Sequence, residues 1–261
     1  MNISGINKYL TFGLKTEWLS ILASEGENFR STGRLGNRMI PSAITWFREA
    51  KLISESKNVQ VTHLMEYANI KGFDNITLWD CIWIALANTS PLVKWYVSKF
   101  NFNETKTPED LNNELSNNVS SESVRKGALQ ALSNTLKSSP LGTGPNALVK
   151  LELKGPRVMS LTRVPRSIDK LAVLYSLYVM GNAAKRTSFT ISEMMNADFE
   201  SPYISPLIAF GMNVDELKGV CLGLSSLYPQ FISCSFSLGL DEVKIFPEEK
   251  TLDDIVDLAL K

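Results

Sequence analysis

Two short stretches of this chain have the residue pattern of metal-assisted phosphodiester chemistry. Glu152-Leu-Lys154 and Glu242-Val-Lys244 take the Glu-x-Lys form of a restriction-type nuclease strand. In that chemistry carboxylates hold a divalent ion and a lysine orients the attacking water. Asp110, after Pro108 and Glu109, is an upstream carboxylate for the first of them. The pattern is short enough to arise by chance, and Glu216-Leu-Lys218 is a third instance. A metal-independent alternative centres on Ser31, which lies between Arg30 and Arg34 with Arg38 beyond. There the arginines would stabilise a pentavalent phosphate, although simple phosphate binding at the same turn is the favoured account of them. The catalytic candidates are thus Ser31, Glu152 and Lys154, with a divalent cation implied only if the chain is a nuclease.

Other chemistries lose support. The one histidine, His63, is too few for a His-rich zinc site or an HNH nuclease, and no metal site is expected. Neither GxxxxGK[ST] nor GxGxxG occurs, and Gly223-Leu-Ser-Ser lacks the GxSxG elbow. Cys81, Cys221 and Cys234 are far apart in apolar contexts and read as reduced core residues. No apolar run approaches the roughly 18 residues of a membrane span, and the N-terminus lacks the features of a signal peptide. The expected location is cytoplasmic, with no membrane partner.

The phosphate-directed residues need elements to hold them. Residues 30–53 read as the turn and second helix of a winged helix-turn-helix. Met39, Ile40, Ala43, Ile44 and Phe47 recur at helical spacing and define an apolar face. The opposite face would carry Arg38, Ser42, Thr45 and Arg48 toward phosphates and base edges, with Arg30, Arg34 and Asn37 at the turn. Residues 50–53 and 59–62 would be the strands of a wing, residues 14–25 the first helix, and Thr62 the cap of a short helix leaving the wing.

A helical middle section follows. It holds a buried, apolar helix over 78–87 capped by Thr77, a helix opened by Pro91, one capped at Thr107, and one over 124–136 capped by Ser120 or Ser121. Residues 138–146, with two prolines and two glycines, read as a linker. Beyond it, helices over 168–181, 188–196 and 214–227 precede strands at 231–236 and 243–246 around Gly239. The fold class is therefore mainly α with small β wings: a winged-helix DNA-binding domain over 1–72, a helical middle section and linker over 73–146, and a second winged-helix-like domain over 147–261.

The formal net charge is zero, yet residues 137–170 carry a net of +5 and residues 241–257 a net of −5. Such segregation suits one nucleic-acid face and one partner face; solvated loops of differing sign would look the same. Arg157, Arg163 and Arg166 would extend a DNA footprint along the basic stretch. The terminal helix capped by Thr251 is too short to stand alone, so it must dock on this chain, on a second copy in a homodimer, or on a basic partner.

Several motifs in order complete the reading: Phe12-Gly-Leu-Lys-Thr-Glu-Trp-Leu19, Leu35-Gly-Asn-Arg-Met-Ile-Pro-Ser42 with Ala43-Ile-Thr-Trp46, Thr77-Leu-Trp79, Ser205-Pro-Leu207, Phe210-Gly211 and Val214-Asp-Glu-Leu217. Together they resemble the uncharacterised-domain family of bacterial DNA phosphorothioation clusters, encoded beside phosphoadenosine-phosphosulfate-reductase-like proteins, of the SspB type. The chain departs from it at Gly13-Leu-Lys-Thr-Glu17, where many relatives carry Gly-His-Glu-Thr-Phe. The resemblance implies a DNA-acting component of a single-strand sulfur-modification defence system. It would nick or open duplex DNA and work with the other phosphorothioation proteins. The alternative from the residues alone is a non-catalytic DNA-binding adaptor or transcriptional regulator.

Overall fold

Two helices that are apolar on every side set the architecture. They are α4 (Ile76–Thr89) and α8 (Lys170–Ala184), buried from Leu78 to Ala87 and from Ala172 to Gly181. A helix without a polar face must be enclosed, and the two pack on each other at the centre. The computed structural model describes residues 3–56, 59–237 and 240–260.

Before α4 come α1 (Thr16–Glu25), α2 (Met39–Glu49) and α3 (His63–Lys71). After it come α5 (Pro91–Lys99), β1 (Thr105–Lys106), α6 (Pro108–Ser116), α7 (Glu122–Lys137), β2 (Val149–Lys154) and β3 (Arg157–Arg163). Following α8 are β4 (Ser188–Thr190), α9 (Ile191–Met194), α10 (Pro206–Phe210), α11 (Val214–Leu227), β5 (Ile232–Ser237), β6 (Leu240–Ile245) and α12 (Leu252–Leu260). The molecule is mainly helical, with two small antiparallel sheets ordered β1-β3-β2 and β4-β6-β5. Among the described residues no single helix is long and apolar enough to cross a membrane.

Short-range signals fix most helix starts. Ser90, Ser121 and Asn213 cap α5, α7 and α11 through their side chains, and Thr107 with Asp110 forms a capping box on α6. Three expectations are corrected. The cap of α4 is Asn75, not Thr77, because the Asn75 side chain accepts from Leu78 N at 3.0 Å. Thr62 precedes α3, but its hydroxyl donates to Lys51 O at 2.7 Å and caps nothing. The helix expected over 188–196 is strand β4 followed by α9, since Ser188, Phe189 and Thr190 pair with β6.

The first wing is smaller than expected. Lys51, at φ 58°, ends α2, with Leu52 N bonding Phe47 O at 2.8 Å and Lys51 N bonding Arg48 O at 3.0 Å. This is a Schellman close. Among the described residues it leaves a single antiparallel bridge, Ile53 to Val61, where two strands were expected. The 138–146 segment folds back on the core through buried Ser139 and Leu141. Sheet β1-β3-β2 joins residues 105–106 to 149–163, across the expected boundary at 146. Gly239 lies outside the described residues.

The terminal helix docks within the chain, on α3 and α8, burying Ile255 and Val256. His63 Nδ1 lies 2.8 Å from Asp257 Oδ1, with both side chains about two-fifths exposed. The hydrogen bond to Asp257 raises the His63 pKa, against a smaller lowering by burial. A raised folded-state value means that the contact contributes fully below the ordinary value of about 6.5 and is lost as pH rises through the higher one. We expect the chain's single imidazole to titrate above that value by NMR and to return toward it in Asp257→Asn. An unshifted wild-type titration would refute the docking contact.

Candidate nucleic-acid interface

The loop entering α2 presents the first group of basic side chains. A 3-10 turn, Gly26–Arg30, leads into it; Leu35, 3% exposed, pins it to the core. Gly33 turns it at φ 73°, a conformation glycine adopts without a Cβ penalty. Arg30, Ser31, Arg34, Asn37 and Arg38 are all exposed. The Arg34 guanidinium donates to Ser24 Oγ at 3.0 Å and reaches Glu25 at 3.4 Å, whereas the Asn37 and Arg38 side chains have no partner among the described residues. The Ser31 hydroxyl donates to Asn28 O at 3.0 Å.

Helix α2 is rotated from the expected orientation. Its buried stripe is Ser42, Ala43, Trp46, Phe47 and Glu49, with Met39, Ile40 and Ile44 only partly covered. Ser42 is fully buried and donates to Tyr9 O at 3.1 Å, so it does not face solvent. Trp46 Nε1 donates to Phe12 O at 2.7 Å. The segment before α1 therefore claims the side of α2 that spacing alone assigned to DNA. Thr45 is half-buried and bonds Pro41 O; Arg48, also half-buried, bonds Ser56 O.

The basic stretch divides in two. Lys150, Lys154 and Arg157 are exposed on the β2–β3 hairpin. Its turn has Gly155 at φ 60° followed by Pro156, the glycine-first arrangement of a tight hairpin. Glu152 is exposed, and its carboxylate accepts from Ser160 Oγ at 2.8 Å across the strands; Asp110 is engaged in the α6 capping box. Arg163 and Arg166 belong to the interior. Arg163 is 3% exposed and donates only to backbone carbonyls, and burial lowers its pKa to about 10. Arg166 is paired with Asp80, whose carboxyl burial pushes up to about 7 although Arg166 draws it down. On α11 the one lysine, Lys218, is paired with Asp241 at 3.0 Å.

Sequence reasoning missed a cleft of about 600 Å³ between α6, α7 and the β2–β3 turn. On α7 it is lined by Lys126, Gln130, Ser133 and Lys137, and by Arg157 on the hairpin. Spacing of three and four residues along α7 carried this polar stripe in the sequence, but nothing local indicated which elements would face it.

The sequence matches no protein-family model and no curated protein. The structure is similar to a magnesium ion-bound crystal structure of SspB, with a TM-score of 0.63 and 12% identity over 98% of this chain and 86% of that one. A second SspB crystal structure matches over the same shares, with a TM-score of 0.62 and 13% identity. The fold is SspB-like.

Proposed function

We propose that this chain is the DNA-binding component of a bacterial single-strand phosphorothioation system, holding duplex DNA and giving the sulfur-transfer proteins access to one strand by nicking or opening it. The observation that carries the reading is the exposed loop with Arg30, Arg34, Asn37 and Arg38 at the start of α2, in a fold that is SspB-like along nearly the whole chain. Exposed guanidiniums suit phosphate oxygens. Lys150, Lys154 and Arg157 extend the contact surface, while Ser42, Arg163 and Arg166 leave it for the interior. We read α8, β4, α9, α11, β5 and β6 as a winged helix with the short α10 inserted between its second and third helices, because the sheet order β4-β6-β5, with the first strand beside the last, is the order that motif requires. Residues 1–72 are a reduced version, with one bridge for a wing. The acidic start of α11 suits a protein contact, with other phosphorothioation proteins as partners.

A non-catalytic adaptor is the second reading, favoured by the engagement of the Ser31 hydroxyl and the Glu152 carboxylate within the chain. One SspB crystal structure is magnesium ion-bound. In this chain no group of three His, Cys, Asp or Glu side chains comes together among the described residues, and no reaction step is assigned through a metal. The test is duplex binding across salt, together with conversion of supercoiled plasmid to open circle with and without magnesium. Arg34→Ala and Arg38→Ala should each weaken duplex binding and lower the log–log salt slope by roughly one. Unchanged affinity in both removes DNA from this loop. Binding without magnesium-dependent nicking selects the adaptor.

A further inference from the structure

The cleft between α6, α7 and the β2–β3 turn has a composition that the duplex-binding loop does not use. Its floor is apolar, with Leu111, Leu129 and Val158. Its walls hold Asn113, Gln130 and Ser133, whose side chains have no hydrogen-bond partner among the described residues. At one end Lys137 Nζ donates to Pro156 O at 3.0 Å, tying the hairpin turn to α7 and retaining further N–H donors. Arg157 beside it is exposed and has no ion-pair partner among the described residues. Two carboxylates also line the cleft. Glu122 is held by Lys126 at 2.6 Å, which leaves Glu109 against Arg157 and Lys137.

We propose that this cleft binds one unpaired nucleotide of a DNA strand, with Arg157 and Lys137 on its phosphate and the Asn113 and Gln130 carboxamides on the edge of its base. The inference rests on the DNA-binding function proposed above and deepens it. Three physical arguments support the assignment. A concave site of about 600 Å³ lies within the roughly 300–1,000 Å³ of small-ligand sites, and it admits a base only once that base has left the duplex stack. A carboxamide offers a donor and an acceptor side by side, the pattern a base edge requires. The surplus of cations lies at the hairpin end, where a phosphate attached to the base would sit. No aromatic side chain lines the cleft, so binding comes from hydrogen bonds and charge, without the stacking platforms of many single-strand binders.

Fluorescence anisotropy with short random-sequence oligodeoxynucleotides, single-stranded and duplex, tests the assignment on the full chain. Gln130→Ala and Arg157→Ala remove exposed side chains without intramolecular partners, so folding should persist. Each should weaken single-strand binding about tenfold. Gln130→Ala should leave duplex binding within about twofold, while Arg157→Ala, which also lies on the proposed duplex surface, should lower duplex binding as well. Arg34→Ala and Arg38→Ala should chiefly weaken the duplex. The four deoxynucleoside monophosphates should displace the single strand at concentrations where inorganic phosphate does not. Equal displacement by phosphate would reduce the cleft to an anion site, and displacement by a glutamate-rich peptide but not by mononucleotides would make it a protein-docking groove; either overturns the proposal. Unchanged single-strand affinity in both cleft variants overturns it while leaving duplex binding standing. Failure of wild type to bind either DNA defeats the underlying function as well.

Discussion

Gly13→Ala should cost about 3–5 kcal/mol, a large loss for a single methyl group. A Cβ at this position would lie 2.3 Å from Thr135 N, 2.4 Å from Ala131 O and 2.7 Å from Asn134 C. All three are backbone atoms inside α7, so no side-chain rotation relieves the clash and the two segments must separate. Separation would also break Leu14 N to Thr135 Oγ1 at 2.9 Å and Asn134 Nδ2 to Thr11 O at 2.9 Å. It would loosen Phe12 O as the acceptor of the buried Trp46 indole. With roughly 2–4 °C per kcal/mol for a chain of this size, the melting temperature should fall by about 10 °C. Gly127→Ala, whose Cβ would meet Leu10 O at 2.7 Å, should show a smaller drop. A Gly13→Ala protein melting with wild type would disprove the close approach of the N-terminal segment to α7.

Arg163→Ala should destabilise the chain by a similar amount and reveal a cation that serves the fold. Its Nη1 donates to Val97 O at 2.8 Å and to Phe100 O, and its Nη2 to Ile208 O at 2.7 Å. The guanidinium lies 4.0 Å from the centre of the Phe102 ring. Val97 and Ile208 lie in the last turns of α5 and α10, and Phe100 follows α5, where carbonyls lack intrahelical partners and the helix dipole is negative. One planar fork thus satisfies two helix ends, a geometry that lysine does not reproduce. Truncation strands buried carbonyls at about 1–3 kcal/mol each. We expect about 3–5 kcal/mol and a fall of roughly 10 °C, with only partial recovery in Arg163→Lys. Arg157→Ala should melt with wild type. Reduced DNA affinity in Arg163→Ala at an unchanged melting temperature would return this arginine to the DNA surface.

Local order in the sequence determined the helices and most of their boundaries. The capping residues Ser121, Thr107 and Asn213 act within four residues of themselves, and the apolar runs of α4 and α8 need no knowledge of their neighbours to be recognised as buried. The strands near 231–236 and 243–246 and the exposed arginine loop before α2 were legible for the same reason. Which basic side chains face solvent was not. Arg163 and Arg166 look like Arg157 in the chain, but their partners lie 66 and 86 residues away in sequence, and burial of a cation is decided by acceptors that only the tertiary structure brings together. The rotation of α2 has the same origin: the carbonyls of Tyr9 and Phe12 claim Ser42 and Trp46 from more than thirty residues upstream. The cleft is the extreme case. Its α7 stripe was written in the sequence, but its opposite walls come from α6 and a hairpin turn, so the concavity exists only where the packing of three separate elements brings them together.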